Sequence, residues 1–259
     1  MDSALVADYS RLEQTHWWFV VRRRILEQVL GQHADSLPGQ SRILNIGAAS
    51  GFSSQWLSRF GDVTSVEKDA AFLAHLQKTG QPAVEASAEN MPFPDQAFDL
   101  VCAFDVLEHL DDDHLAYREM LRVCKPGGLI FIAVPAGSGL WSPHDEVNGH
   151  RRRYSLRSLR ELTTSLPCRE IWSSHFNTLL YVPIALVRKG QRFFRGKETL
   201  DQSDFAYYRG SGFVNSLLQW IFSLEVGWLK KRRFSFGVSL LLLVQKTTEH
   251  SKTDKDQGK

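Results

Sequence analysis

The stretch from Arg42 to Ser54, RILNIGAASGFSS, constrains this chain more than any other. RILNI has the length and composition of a buried strand, and FSSQWLSRF (Phe52–Phe60) has helical spacing. Between them lies a turn of small residues. Strand, bare turn and helix together leave backbone N–H groups and a helix N-terminus at the carboxyl end of a sheet, in the crevice where open α/β sheets bind ligands. Small side chains let a ligand touch the backbone itself. The next apolar run, DVTSVE, ends in Glu67, twenty residues after Gly47. An acidic residue there commonly accepts both hydroxyls of a ribose. The expected ligand is therefore a ribonucleoside derivative.

The rest of the chain continues the alternation. Helical spacing runs over Trp17–Leu30, with Gly31 as a stop, over Ala70–Lys78 and over His114–Cys124, which Asp111, Asp112 and Asp113 precede. PAVEA, Phe98–Val106 and Leu129–Pro135 read as further strands, and KPGG as a turn. Strands alternating with helices imply a parallel sheet covered on both faces. Beyond Pro135 a helix is expected over Ser155–Leu166, a strand over CREIWSSHF (Cys168–Phe176) and a last strand over Phe234–Lys246. Asn177–Arg233 is too long for a plain connection and carries two apolar segments, LLYVPIALV and FVNSLLQWIFSLEVGWL. The polar tail after Thr247 is expected to be disordered.

Composition excludes some classes. A net charge of +2 over 259 residues offers no broad phosphate-tracking surface, so nucleic acid is not an expected partner. Three cysteines without metal or redox spacing point to a reducing compartment. The N-terminus has no basic start followed by an apolar core of a leader, and no run is long enough to span a bilayer. A cytoplasmic location is expected.

The glycine loop separates the nucleotide classes. Gly47 is followed by Ala49, and Phe52 stands at the third place of G-x-G-x-x-G, which argues against a nicotinamide oxidoreductase. The loop instead resembles the first motif, D-x-G-x-G-x-G, of class I S-adenosylmethionine-dependent methyltransferases. SVEK (Ser65–Lys68) resembles that family's second motif, SAENMPFPDQAFDLVCAFDVLEHLDD its third and fourth, and CKPGGLIFIAVP the turn and strand that close the cofactor half. The resemblance covers about Arg42 to Pro135.

It implies a Rossmann-like α/β fold with a seven-stranded sheet, mostly parallel with an antiparallel last strand, and helices on both faces. The expected organisation is one domain over residues 1–247. It comprises an N-terminal helical segment (1–35), a cofactor-binding half (41–135) and an inserted helical cover (177–233), with 248–259 as the tail. The resemblance also implies S-adenosylmethionine as cofactor. Gly47 and Gly51 would lie under it, Glu67 would hold its ribose with Lys68 alongside, and Ala88 and Glu89 would flank the adenine. Phe104 and Asp105 would line the methyl end. Three positions depart from the family: Asn45 for aspartate, Ala49 for glycine and Ser87 for aspartate. Asn45 can still accept a hydrogen bond through its amide oxygen, and Ala49 fits if its φ is negative. These departures motivate the alternative of a catalytically inactive binding protein with a methyltransferase fold.

HDEVNGHRRRY (His144–Tyr154) follows the fifth strand and should overhang the reactive end of the cofactor. An oxygen nucleophile must lose a proton, a task suited to histidine. His144, His109 and His150 are the candidates in that order, with Asp145 as an orienting partner. Arg151, Arg152 and Arg153 could clamp an anionic substrate group, and Tyr154 could line the pocket. Spacing in this stretch matches no metal-ligand pattern. Similar methyltransferases that carry such a stretch also open on a segment like HWWFVVRRRIL, which places Trp17 and Trp18 in the substrate cover, and they accompany glycan and lipid-linked sugar pathways. The expected acceptor is a small or lipid-linked molecule, methylated at oxygen. Basic aromatic segments (Trp17–Arg24, Arg188–Arg195, Trp228–Arg233) raise a second expectation, peripheral contact with the inner face of a membrane.

Overall fold

The computed structural model describes residues 3–193 and 212–247. Two helices open the chain, α1 (Ser3–Thr15) and α2 (Trp17–Gly31). The α/β alternation follows as β1 (Ser41–Ile46), α3 (Phe52–Leu57), β2 (Gly61–Glu67), α4 (Ala70–Lys78), β3 (Ala83–Glu85), β4 (Phe98–Phe104), α5 (Asp113–Val123) and β5 (Cys124–Pro135). Then come α6 (Pro143–Val147), α7 (Leu156–Glu161), β6 (Cys168–Phe176), α8 (Tyr181–Phe193), α9 (Gly212–Leu229) and β7 (Ser239–Lys246).

The strands form a seven-stranded sheet in the order β3-β2-β1-β4-β5-β7-β6. β1 to β5 pair in parallel, and β7 runs antiparallel to both β5 and β6. This is the expected Rossmann-like architecture. β4 explains itself: all seven residues of FDLVCAF are buried, as a central parallel strand covered on both faces requires. Its side chains alternate between two cores. Val101 and Ala103 join Tyr117 and Met120 of α5 and Leu159 of α7. Leu100, Cys102 and Phe104 join Ile25 and Val29 of α2, Trp56 of α3 and Phe222 of α9. The strand order reverses between β1 and β4, and there the crevice opens at the carboxyl ends.

Three local expectations change. KPGG is not a separate turn but lies inside β5. Phe98 pairs with Cys124, and the register then shifts so that Leu100 faces Leu129, which lets the four residues bulge from the ladder. Lys125 fastens the bulge through Nζ to both Asp99 oxygens at 2.8 and 2.9 Å. The helix expected to reach Leu166 ends at Glu161, where the hydroxyls of Thr163 and Thr164 take the Arg160 carbonyl. The last strand starts at Ser239 rather than Phe234.

The insertion packs beside the N-terminal helices. Trp17 meets Phe222 edge-on with ring centroids 5.8 Å apart. Asn215 of α9 accepts the Trp17 N–H at 2.8 Å and donates to the Thr15 carbonyl at 3.0 Å, holding the α1–α2 corner. The outer side of α9 exposes Phe213, Leu217, Trp220, Leu224 and Trp228.

The basic segments are less available to a bilayer than their composition suggested. Arg22 pairs with Asp105, Arg23 with Glu27, and Arg24 donates to Ser223. Arg188 is buried and donates to the Leu140 carbonyl at 3.1 Å. Phe194, Arg195 and the 248–259 tail lie outside the described residues. Among the described residues no helix is long and apolar enough to cross a membrane.

Candidate active site

The turn after β1 has the backbone its small residues promised. Gly47, Ala49 and Gly51 take φ of 66°, 47° and 82°. Glycine is needed at Gly47 on two counts and at Gly51 mainly on one. Their φ is left-handed, and at Gly47 a Cβ would sit 2.5 Å from Val106 Cγ2; at Gly51 it would meet only the flexible end of the Gln81 side chain, so the φ is the main reason there. Packing by this chain's own side chains thus shares responsibility for Gly47 with any ligand. Ala49 corrects the expectation of a negative φ: its methyl is held in the left-handed region, at about 1–2 kcal/mol. Glu67 offsets that strain, since its Oε2 accepts the Ala49 N–H at 2.8 Å. Its Oε1 accepts the N–H groups of Lys68 and Asp69 at 2.8 and 2.9 Å. Glu67 therefore faces the turn and also braces it.

Asn45, 1 % exposed, ends β1 under the turn. Its Nδ2 donates to Ser53 and Ser54 Oγ, both at 2.8 Å, while its Oδ1 has no partner among the described residues. A buried acceptor left unmet is uncommon. Across the crevice, Asp105 follows β4 with φ 56° and pairs with Arg22, which stacks over Trp18 and Phe104. On the adenine side expected from the sequence, Ala88 is buried, and Ser87 and Glu89 satisfy each other: Ser87 Oγ donates to Glu89 Oε2 at 3.1 Å and accepts the Glu89 N–H at 3.3 Å. Ser87, one of the three departures from the family pattern, is thus engaged with Glu89. Lys68 is exposed.

Helix α1, which the sequence reading did not single out, bridges this crevice. Tyr9 packs edge-on against Phe19 and against Phe72 of α4, and Glu13, Arg22, Asp105 and Glu67 all act on its hydroxyl. Glu13 accepts a short hydrogen bond from Ser50 Oγ in the turn. The signal was the row Val6, Tyr9, Glu13, His16 at helical spacing, obscured by its polar members. Burial pushes the Glu13 carboxyl up to about 7, against the Ser50 hydrogen bond and the Arg22 charge, which both lower it.

A carboxyl with a raised folded pKa binds its proton more tightly when folded, so stability falls as pH climbs from the ordinary value of 4.5 towards about 7 and is level above. The charged groups facing Glu13 are Arg22 and, once ionised, Tyr9. Glu13→Gln is expected to melt higher than the parent at about pH 8, by up to about 3 kcal/mol, and to show little difference at about pH 4. Thermal melts of both proteins across that range check this, and a constant difference between them would defeat it.

The segment after β5 departs most from expectation. His144, first of the candidate bases, bonds within its own helix to Asn148. Asp145 instead orients His150, whose Nδ1 lies 2.8 Å from Asp145 Oδ1. Asp145 is fully buried and also accepts from Arg153 Nε and from the Ser142 N–H, each at 2.8 Å. Burial works against its charge, but the His150 and Arg153 interactions outweigh that and hold its carboxyl well below the usual range.

The arginines are not a free clamp. Arg151 donates to the His109 carbonyl and pairs with Asp111. Arg152 donates to the carbonyls of Leu110 and Asp111 and pairs with Asp113. Tyr154 is 2 % exposed and donates to Asp113 Oδ2 at 2.7 Å, so it belongs to the core rather than to a pocket wall. Trp17 is likewise buried, between α2 and α9, and Trp18 lies under Arg22. The run RRRY thus ties the loop after β5 to the loop after β4.

That tie brings His150 to Glu108 and His109. The His109 and His150 rings stand perpendicular with centroids 4.8 Å apart. Glu108 is fully buried, and among the described residues neither carboxylate oxygen has a partner outside its own residue. Burial, reinforced by Asp105, pushes its carboxyl up, and burial beside His150 lowers His109. Glu108 follows β4 in the 107–109 turn. Its link to His150 was hidden because the two come from loops forty-two residues apart.

Residues 44–132 match the family model of a methyltransferase domain. Over that part the chain is similar to class I methyltransferases. It is 32 % identical over 130 residues to a demethylmenaquinone methyltransferase of Renibacterium salmoninarum, an alignment covering 49 % of this chain and 51 % of that one. It is 28 % identical over 151 residues to a malonyl-[acyl-carrier protein] O-methyltransferase of Serratia marcescens, covering 56 % and 58 %. The chain spans about half the length of the curated relatives it matches. Among solved structures, a putative methyltransferase from Bacillus halodurans superposes with a TM-score of 0.58 at 19 % identity over 86 % of this chain and 99 % of that one. Such a likeness concerns the fold. The likeness to methyltransferase domains implies S-adenosylmethionine, and the residues of the crevice fit it. Asn45 Oδ1 awaits a donor, the turn's backbone is bare on its ligand side, and a carboxylate with about four acceptor positions still has room after three N–H bonds at Glu67.

Proposed function

We propose that the protein transfers a methyl group from S-adenosylmethionine to an oxygen of a small-molecule acceptor. The observation that carries this reading is the convergence of Glu67, Asp105 and the unmet Asn45 Oδ1 on the crevice between β1 and β4, with the Glu108–His109–His150 cluster beside it. In this reading Glu67 receives the ribose hydroxyls and Asn45 Oδ1 the cofactor's ammonium group, with Gly47 and Gly51 beneath and Ala88 and Glu89 beside the adenine. Bound there, the cofactor supplies a methyl group already activated on a sulfonium. The chain's own task is then to hold the acceptor in line and in contact, the larger part of such catalysis. Arg22 keeps Asp105 turned to this end, and helix α1 closes over the crevice, latched by Glu13 on Ser50. Together with the α8–α9 insertion, α1 forms the cover that excludes water.

The names of the Serratia and Renibacterium relatives, which specify a thioester-borne acid and a quinone precursor, support a small organic acceptor. Calorimetric titration with S-adenosylmethionine and S-adenosylhomocysteine is expected to give micromolar binding of both. Absence of heat from either ligand at high micromolar concentration would overturn the reading. Binding without methyl release to any extract fraction would favour the inactive binding protein instead.

A further inference from the structure

We propose that Glu108, His109 and His150 are the ligands of a divalent transition-metal cation, Zn²⁺ in the first instance, at the acceptor side of the crevice. The donor atoms of these three residues lie within 4.8 Å of one another. They come from two loops, the 107–109 turn after β4 and the segment after α6, which the arginine run fastens together.

Glu108 carries the argument. Its side chain is fully buried, and among the described residues neither oxygen has a hydrogen-bond partner outside its own residue. A buried carboxylate without a partner is among the most costly groups a fold can contain, and native structures retain one only with a cation or a function. Among the described residues no side chain donates to it: His150 commits Nδ1 to Asp145, and the His109 ring bonds to the backbone of Asn148 and Gly149, while only its own backbone N–H and the charges of Arg22 and Arg153 favour its ionised form.

Those same bonds are the arrangement that metal-binding histidines require. Such a histidine gives its second nitrogen to a carboxylate or a carbonyl, which fixes the tautomer and aims the free nitrogen. His150 has the carboxylate, and His109 has the carbonyl side of the backbone. Asp145 is in turn locked by Arg153 and the Ser142 N–H. The charge suits a dication, since one carboxylate and two neutral imidazoles leave net positive charge facing Asp105.

Two histidines and a carboxylate favour zinc-like ions over magnesium, which prefers an all-oxygen octahedron. Ligands at about 2.0–2.1 Å from a tetrahedral ion are about 3.4 Å apart, so closure needs a movement on the order of 1 Å. His109, which is exposed, can supply it. Three protein ligands leave a fourth position open. Resting on the methyl-transfer reading, that position would take the acceptor oxygen and ease loss of its proton to solvent.

The test uses the full chain after dialysis against a chelator. Titration with Zn²⁺ and with Co²⁺, the second followed by visible absorption, is expected to show one tight site per chain with the intense bands of low-coordinate cobalt. Glu108→Gln and His150→Ala are each expected to weaken binding by about 10-fold or more. Glu108→Gln removes an unmet charge and should fold at least as well as the parent, so lost binding there is not lost structure. No saturable binding by the parent, or binding that both variants retain, overturns the proposal. S-adenosylmethionine titrated into the same chelated protein separates the two readings. Cofactor binding without metal binding defeats this inference alone, and metal binding without cofactor binding defeats the methyl-transfer reading alone.

Discussion

Replacing Glu67 by alanine is expected to weaken S-adenosylmethionine binding by about 100-fold and to lower the melting temperature as well. The carboxylate accepts three backbone N–H groups, from Ala49, Lys68 and Asp69, and it is 8 % exposed. Hydrogen bonds to a charged group contribute about 1.5–3 kcal/mol each, and an unmet buried donor costs about 1–3 kcal/mol. Water can enter the emptied space, so a loss of about 3 kcal/mol is the reasonable sum, or roughly 6–12 °C at this size. Beyond any ribose contact, Glu67 holds Ala49 in a conformation that alanine resists. The affinity loss has two sources, a missing ribose acceptor and a relaxed turn. Glu67→Gln separates them. The amide retains one oxygen for the Lys68 and Asp69 donors but turns an NH₂ towards the Ala49 N–H, or the reverse, so the turn is still disturbed while bulk is kept. Calorimetry and thermal melts on both variants decide the matter, and unchanged cofactor affinity in Glu67→Ala would remove the ribose site from this corner.

The sheet was legible because its strands are buried on both faces. RILNI and FDLVCAF can be nothing but central strands once turn residues bound them, and the last antiparallel strand followed from family resemblance. The crevice was legible because left-handed backbone needs small residues. What could not be read were contacts between loops distant in sequence. His144 and Asp145 are adjacent in the chain, so sequence proximity suggested a pair, yet adjacent residues on a helix point apart and His150 across the turn receives the carboxylate. The arginine run looked like a surface clamp because charge usually means exposure. Arg153 is only 2 % exposed at its side chain, and all three arginines serve as struts. Helix α1 was overlooked because Glu13, a residue that normally faces water, sits in its buried row.

The largest stability effect is expected at Asp145. Asp145→Ala leaves Arg153 buried without its carboxylate, frees the His150 ring and uncaps the Ser142 N–H. Arg153 Nη1 also donates to the Ala136 carbonyl at 3.1 Å, a neutral acceptor that does not replace a carboxylate. Breaking such a pair by removing one partner typically costs about 3–5 kcal/mol. At this chain length that is a fall of roughly 6–20 °C in melting temperature. The exposed Arg157–Glu161 pair gives the contrast, with side chains 90 % and 57 % exposed, and Arg157→Ala should stay within about 0.5 kcal/mol of the parent. A second substitution tests whether Asp145 does more than neutralise Arg153. Buried ion pairs replaced on both sides by apolar groups are often neutral in stability. Asp145→Leu with Arg153→Met is therefore expected to recover most of the lost melting temperature but not the metal affinity, because His150 would still lack the group that aims it. Recovery of both would reduce Asp145 to a counter-ion, and a single Asp145→Ala variant that melts with the parent would show that Arg153 finds another partner.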